Sequence, residues 1–98
     1  MIPGYGSSRL SETVVASATT ITLKGDLIRL TGTTQVDTML SPVNVGRDGL
    51  LVFIYTPDAG VTISAAGNVA VSQALVTNRL YAYAFSNIAG KWIPHGVV

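Results

Sequence analysis

Thr20-Ile21-Thr22-Leu23-Lys24-Gly25-Asp26-Leu27-Ile28-Arg29-Leu30-Thr31-Gly32 is the stretch whose reading decides the fold. Ile21 and Leu23 alternate with Thr22 and Lys24, and Ile28 and Leu30 alternate with Arg29 and Thr31. This period of two marks half-buried strands, with the apolar residues on one side. Each unit closes on a glycine that can turn the chain at positive φ. The two units form a near-repeat, seven residues apart, but two copies are too few to indicate a solenoid.

The same signals extend in both directions. Upstream, Thr13–Ala16 reads as a short strand, and downstream Thr34–Met39 is followed by a Ser41–Gly46 connection. Asp48-Gly49 is a tight-turn signal. It feeds Leu50-Leu51-Val52-Phe53-Ile54-Tyr55, which is apolar on both faces and is predicted to be the central buried strand. Pro57-Asp58-Ala59-Gly60 is predicted as a turn, then Val61–Ala65, Val69–Val71 and Ala74–Val76 as short strands. Arg79–Ser86 is predicted to place Tyr81, Tyr83 and Phe85 on one face and Leu80, Ala82 and Ala84 on the other. Asn87–Gly90 is the hairpin turn before a closing strand that carries Trp92. About nine short strands at this spacing imply an all-β domain over residues 12–98, a small sandwich, jelly roll or barrel. The one competing reading is a helical turn or two in Val69–Val76.

Residues 1–11 stand apart. Pro3, Gly4, Gly6, Ser7 and Ser8 deny this segment a helix, while Ile2, Tyr5 and Leu10 are apolar anchors on a tether. The segment reads as an extended N-terminal arm that docks on a neighbouring subunit, against the plainer alternative of a frayed terminus.

Only 11% of the 98 residues are charged, against 48% hydrophobic; ordinary soluble domains carry about 25% charged residues. A domain of this size still leaves about a third of its chain surface exposed, and few charges are present to face water. The composition therefore points to a subunit whose exterior is covered by copies of itself or by a larger assembly. Arg9, Lys24, Arg29, Arg47, Arg79 and Lys91 are scattered rather than clustered, which argues against nucleic acid as a partner. Cysteine is absent, excluding a disulfide framework. The N-terminus lacks the pattern of a signal peptide, and the longest strongly apolar run is far short of a membrane span. Assembly in the cytoplasm, with no membrane partner, is the expectation.

Candidates for chemistry are few. His95 is the one histidine and has no nucleophile motif near it. Asp26, Asp48 and Asp58 sit where short acidic side chains serve turns; Glu12 and Asp37 lack that role, and Arg29 can pair with either. No metal-ligand cluster occurs, and Gly46-Arg47-Asp48-Gly49 lacks the lysine and hydroxyl of a phosphate loop. An enzyme is not expected, nor a cofactor. Tyr5, Tyr55, Tyr81, Tyr83 and Trp92 have three readings: core filling, a subunit interface, or ligand contact. Tyr81, Tyr83 and Trp92 are the candidates for the interface.

The run Thr20–Met39, which ends in Gly32-Thr33-Thr34-Gln35-Val36-Asp37-Thr38-Met39, resembles a segment of tailed-bacteriophage structural proteins that reads approximately TITLtGdxIrlTGTTxIdTI. Arg47–Tyr55 stands where such proteins carry a G-x-x-V-x-L-I-F strand. Ala65-Ala66-Gly67-Asn68-Val69 and Gly90-Lys91-Trp92-Ile93 resemble their later glycine turn and closing G-x-W strand. The similarity covers about residues 18–95, and its motifs are structural. Related modules occur in tail-fibre and spike ends and in small capsid-decorating (cement) proteins. The resemblance implies a virion protein on the capsid surface, commonly a homotrimer. Its arm, with Ile2, Pro3, Tyr5, Arg9 and Leu10, would lie along the major capsid protein and stabilise the shell. The alternative it leaves open is a receptor- or carbohydrate-binding tip of a fibre. The acidic or glycine-rich stretch some relatives carry after the central strand is missing here.

Overall fold

A computed structural model describes residues 12–40 and 51–94. The arm residues Ile2, Pro3, Tyr5, Arg9 and Leu10, the Arg47-Asp48-Gly49 turn and His95 lie outside the described residues.

The described residues are all-β, with no helix among them; Val69–Val76 forms an isolated bridge and a short strand. Nine strands follow in order: β1 (Glu12–Ala16), β2 (Thr20–Thr22), β3 (Leu27–Thr31), β4 (Thr38–Leu40), β5 (Leu51–Tyr55), β6 (Thr62–Ile63), β7 (Gln73–Ala74), β8 (Tyr81–Ser86) and β9 (Lys91–Pro94). One sheet has five strands in the order β1-β3-β5-β8-β9, and two further pairs are β2-β4 and β6-β7.

The direction of pairing is the main feature. β1 lies parallel to β3, with Glu12 beside Leu27, and β3 parallel to β5, with Leu27 beside Phe53. Parallel neighbours require a crossover, and here the second sheet supplies it. β2 carries the chain between β1 and β3, β4 carries it between β3 and β5, and β2 pairs parallel with β4. The chain thus winds as a short coil. Its corners are stacked by backbone hydrogen bonds from Ser17 to Thr31 (2.7 Å), Asp37 to Thr19 (2.9 Å) and Leu23 to Leu40 (2.7 Å). A third turn begins through Val36, which bridges in parallel to Ile63. The chain then reverses: β8 is antiparallel to β5, and β9 to β8.

The near-repeat of the sequence is therefore not the structural period. Ile21 is in the two-stranded sheet and Ile28 in the five-stranded one, so the glycine-ended units are consecutive sides of one winding. The five-stranded sheet and the two strand pairs share a common core, compatible with a small sandwich. Jelly rolls and up-and-down barrels are antiparallel, and the parallel pairs depart from that expectation. The expected strand over Thr34–Met39 shortens to β4, with Val36 pairing separately through its N–H to Thr62 (2.9 Å).

Alternation explains which side chains face inward. Ile28 and Leu30 of β3, Val52 and Ile54 of β5, Ile21 of β2, Met39 of β4 and Ile63 of β6 form one core cluster with Tyr83 and Trp92. Tyr81 and Phe85 pack against it, so the aromatic face of β8 points inward as its alternation predicts. The two predicted turns that fall within the described residues form: Gly90 closes 87–90 at φ +66°, and Gly60 ends 57–60 at φ +96°.

Candidate interaction surface

The outer face of the five-stranded sheet is built from the residues that alternate away from the core. Leu51 lies beside Ala84 and Phe53 beside Ala82, while Ala84 lies beside Ile93. Cross-strand partners share a face, so these residues form a contiguous apolar strip across β5, β8 and β9. Leu51 keeps 47% and Ile93 39% of its surface in solvent. Leu80, just before β8, is 56% exposed. The alanines lower the surface between the larger side chains, which lets a second layer approach closely. β5 is central in its sheet as predicted, yet among the described residues only its inner face is covered. Its outer face, among the described residues, is thus the candidate interaction surface of this domain.

Beside the strip lies a polar group on β1, β3 and β5. Arg29 Nη1 donates to the Tyr55 hydroxyl at 3.2 Å, and that hydroxyl donates to the Glu12 carboxylate. The Arg29 guanidinium also sits 5.8 Å from the Tyr55 ring centre, within cation–π reach. The hydrogen bond to Tyr55 holds the Arg29 pKa above its ordinary value, with Glu12 and Asp58 adding to the effect. The expected Arg29–Glu12 pairing thus runs through Tyr55. Asp37 instead accepts from Gln35 Nε2 at 2.9 Å. Asp58 Oδ2 accepts the Gly32 N–H at 2.7 Å, a structural role, but one that reaches 26 residues along the chain rather than into its own turn.

Two of the three interface candidates need correction. Tyr83 is fully buried and Trp92 is 2% exposed within a single chain, so neither side chain is presented to a second subunit. The Tyr83 hydroxyl donates to Gln73 Oε1 at 2.6 Å, and burial, with Tyr81 nearby, pushes its pKa well above the usual phenol range. Trp92 Nε1 donates to the Met39 carbonyl at 3.0 Å, and its ring meets Phe85 edge-on at 5.3 Å. The physical reason is the parity of β8 and β9, which turns both residues toward the core. Tyr81 is half-buried, with its hydroxyl accepting the Val76 N–H at 2.9 Å.

The residues that do face outward, Leu51, Phe53 and Ile93, were not singled out by sequence reasoning. Their signal was present: an apolar residue on each face of β5, opposite the alternate alanines of β8. Apolar residues on both faces of a strand predict burial on both sides, and among the described residues a single chain covers only one. Among the described residues there is also no group of three acidic, histidine or cysteine side chains placed to hold a metal ion.

Comparison with family models, curated proteins and solved structures finds no match to this chain.

Proposed function

We propose that this protein works by adhesion, as a structural subunit of a virion that decorates and stabilises the capsid by binding the major capsid protein. The observation that carries the reading is the open apolar strip of Leu51, Phe53, Ala82, Ala84 and Ile93 on a chain with only 11% charged residues. The resemblance of residues 18–95 to phage structural modules supplies the identity of the surface to be covered. In this proposal the 1–11 arm adds a second attachment point, and the sheet face the first. Burial of apolar area contributes roughly 25 cal/mol per Å² before association costs are subtracted. Repetition over a shell lattice multiplies modest contacts into firm attachment.

The fibre-tip reading loses Tyr83 and Trp92 as ligand contacts, because both are occupied inside the fold. Tyr55 remains at the surface but is engaged by Arg29 and Glu12.

The test is co-sedimentation of the purified protein with capsids that lack it. Wild-type protein is expected to pellet with the shells. Ile93→Lys and Ala84→Arg, which add charge to the exposed strip, are expected to stay in the supernatant with unchanged thermal melting. Deletion of residues 1–10 is expected to weaken attachment in the same assay. Wild-type protein that fails to pellet, or strip variants that pellet as well as wild type, would overturn the proposal.

A further inference from the structure

The two ends of the coil are finished differently. At one end the edge strand β9 carries Lys91 and Pro94, residue types that blunt a sheet edge. Its remaining edge is engaged as well: the Trp92 N–H donates to Asn68 (2.8 Å) and its carbonyl accepts from Ala70 (2.9 Å). At the other end β1 and β2 are the outer strands of their two sheets, and among the described residues neither has a strand on its far side. Neither strand contains proline or glycine. Between them runs a groove of about 250 Å³ lined by Val14, Ala16, Thr20, Thr22 and Lys24. Val14 is 66% exposed at this edge, and the buried Thr13 Oγ1 has no hydrogen-bond partner among the described residues.

Two adjacent bare edges recognise extended backbone. Their sequences also indicate whose. Thr20-Ile21-Thr22 reads identically in both directions, and β1 is centred on Val14. A two-fold axis through Val14 and Ile21 sets each strand antiparallel to its own copy. Thr20 then meets the partner's Thr22, a favourable cross-strand pair, and Val14 meets the partner's Val14. Glu12 falls opposite the partner's Ala16, and Lys24 in line with the partner's Ala18, so no like charges face each other. The inner face stays in phase, with Thr13 opposite the partner's Val15; a one-residue slip would lose that match.

We propose that the β1/β2 end docks a second copy of this chain head to head, β1 on β1 and β2 on β2, giving a symmetric dimer. This makes two copies, in place of the three the phage resemblance implies, and it stands independently of any capsid.

Sedimentation velocity of the full chain over a concentration series tests it. Wild-type protein is expected to shift from monomer toward dimer as concentration rises. Val14→Lys and Val14→Glu, each at an exposed position, are expected to remain monomeric with unchanged circular dichroism. Mixed one to one, they are expected to form a heterodimer, because only the two-fold register brings position 14 against itself. A wild-type monomer at every concentration, a trimer, or a mixture that stays monomeric would overturn the proposal. Capsid co-sedimentation reads the adhesion proposal separately.

Discussion

Asn68 takes the place of a strand beside Met39. Its Oδ1 accepts the Met39 N–H at 2.8 Å, and its Nδ2 donates to the Met39 carbonyl at 2.7 Å. The same carbonyl receives the Trp92 indole N–H, so one side-chain amide and one indole close the edge of β4 at Met39, where no backbone partner is present among the described residues. This clasp ties the two-stranded sheet to β9, and hence the coil to the reversing hairpin.

Loss of the amide should be felt at once. Asn68→Ala removes both bonds to a buried residue, and an unsatisfied buried group costs about 1–3 kcal/mol. Urea unfolding is expected to show a loss in that range. Trp92→Phe removes the second donor to the same carbonyl, so the double variant should depart from additivity by about 0.5–2 kcal/mol. Strict additivity would mean the two donors do not share the Met39 carbonyl.

Gly67 precedes this clasp for a reason of space. A Cβ there would sit 2.1 Å from the Asp37 carbonyl oxygen and 2.3 Å from Thr38 Oγ1. Backbone must move to admit it, so Gly67→Ala is expected to cost about 3 kcal/mol. At Gly90 an added Cβ meets nothing within 4 Å among the described residues, and the φ of +66° is the unfavourable feature. Gly90→Ala should therefore cost only about 1–2 kcal/mol. Denaturation midpoints of the two variants compare them directly, and equal losses would contradict the crowding argument.

Tyr83 supplies a dependence on pH. Burial, aided by Tyr81, raises its folded pKa above the ordinary value of 10.0, so the folded state holds the phenolic proton after the unfolded chain has released it. The contribution is complete below pH 10 and is lost as the pH climbs from there toward the folded pKa, at about 1.4 kcal/mol per pH unit. Tyr83→Phe leaves Gln73 Oε1 without its donor and is expected to cost about 1–2 kcal/mol at neutral pH. That deficit should shrink above pH 10, where only the wild type is penalised by the phenol. Parallel pH curves for the two proteins would contradict the assignment.

The legible parts of this fold are those written in local chemistry. Alternation placed Ile21, Leu23, Ile28 and Leu30 inward, and β8 parity put Tyr83 and Phe85 opposite Ala82 and Ala84. Pro57–Gly60 and Asn87–Gly90 turned where their residues require positive φ or a preset bend. Gly67-Asn68 was legible only as a turn, because nothing local shows that an amide 29 residues along the chain from Met39 will act as its neighbouring strand. The interface assignment of Tyr83 and Trp92 failed for a related reason: an aromatic residue suits core and contact surface equally, and only packing separates them.

By itself, the sequence determined an all-β chain, the inward side of its alternating strands, and a charged fraction of only 11%. The tertiary structure alone decided that β1, β3 and β5 run parallel, that β5 buries one face more fully than the other, and that, among the described residues, the β9 edge is engaged while β1 and β2 have no strand beyond them. A period of two specifies a face but not a neighbour. Strand direction depends on where the connecting chain returns, which is settled only when distant segments share one core.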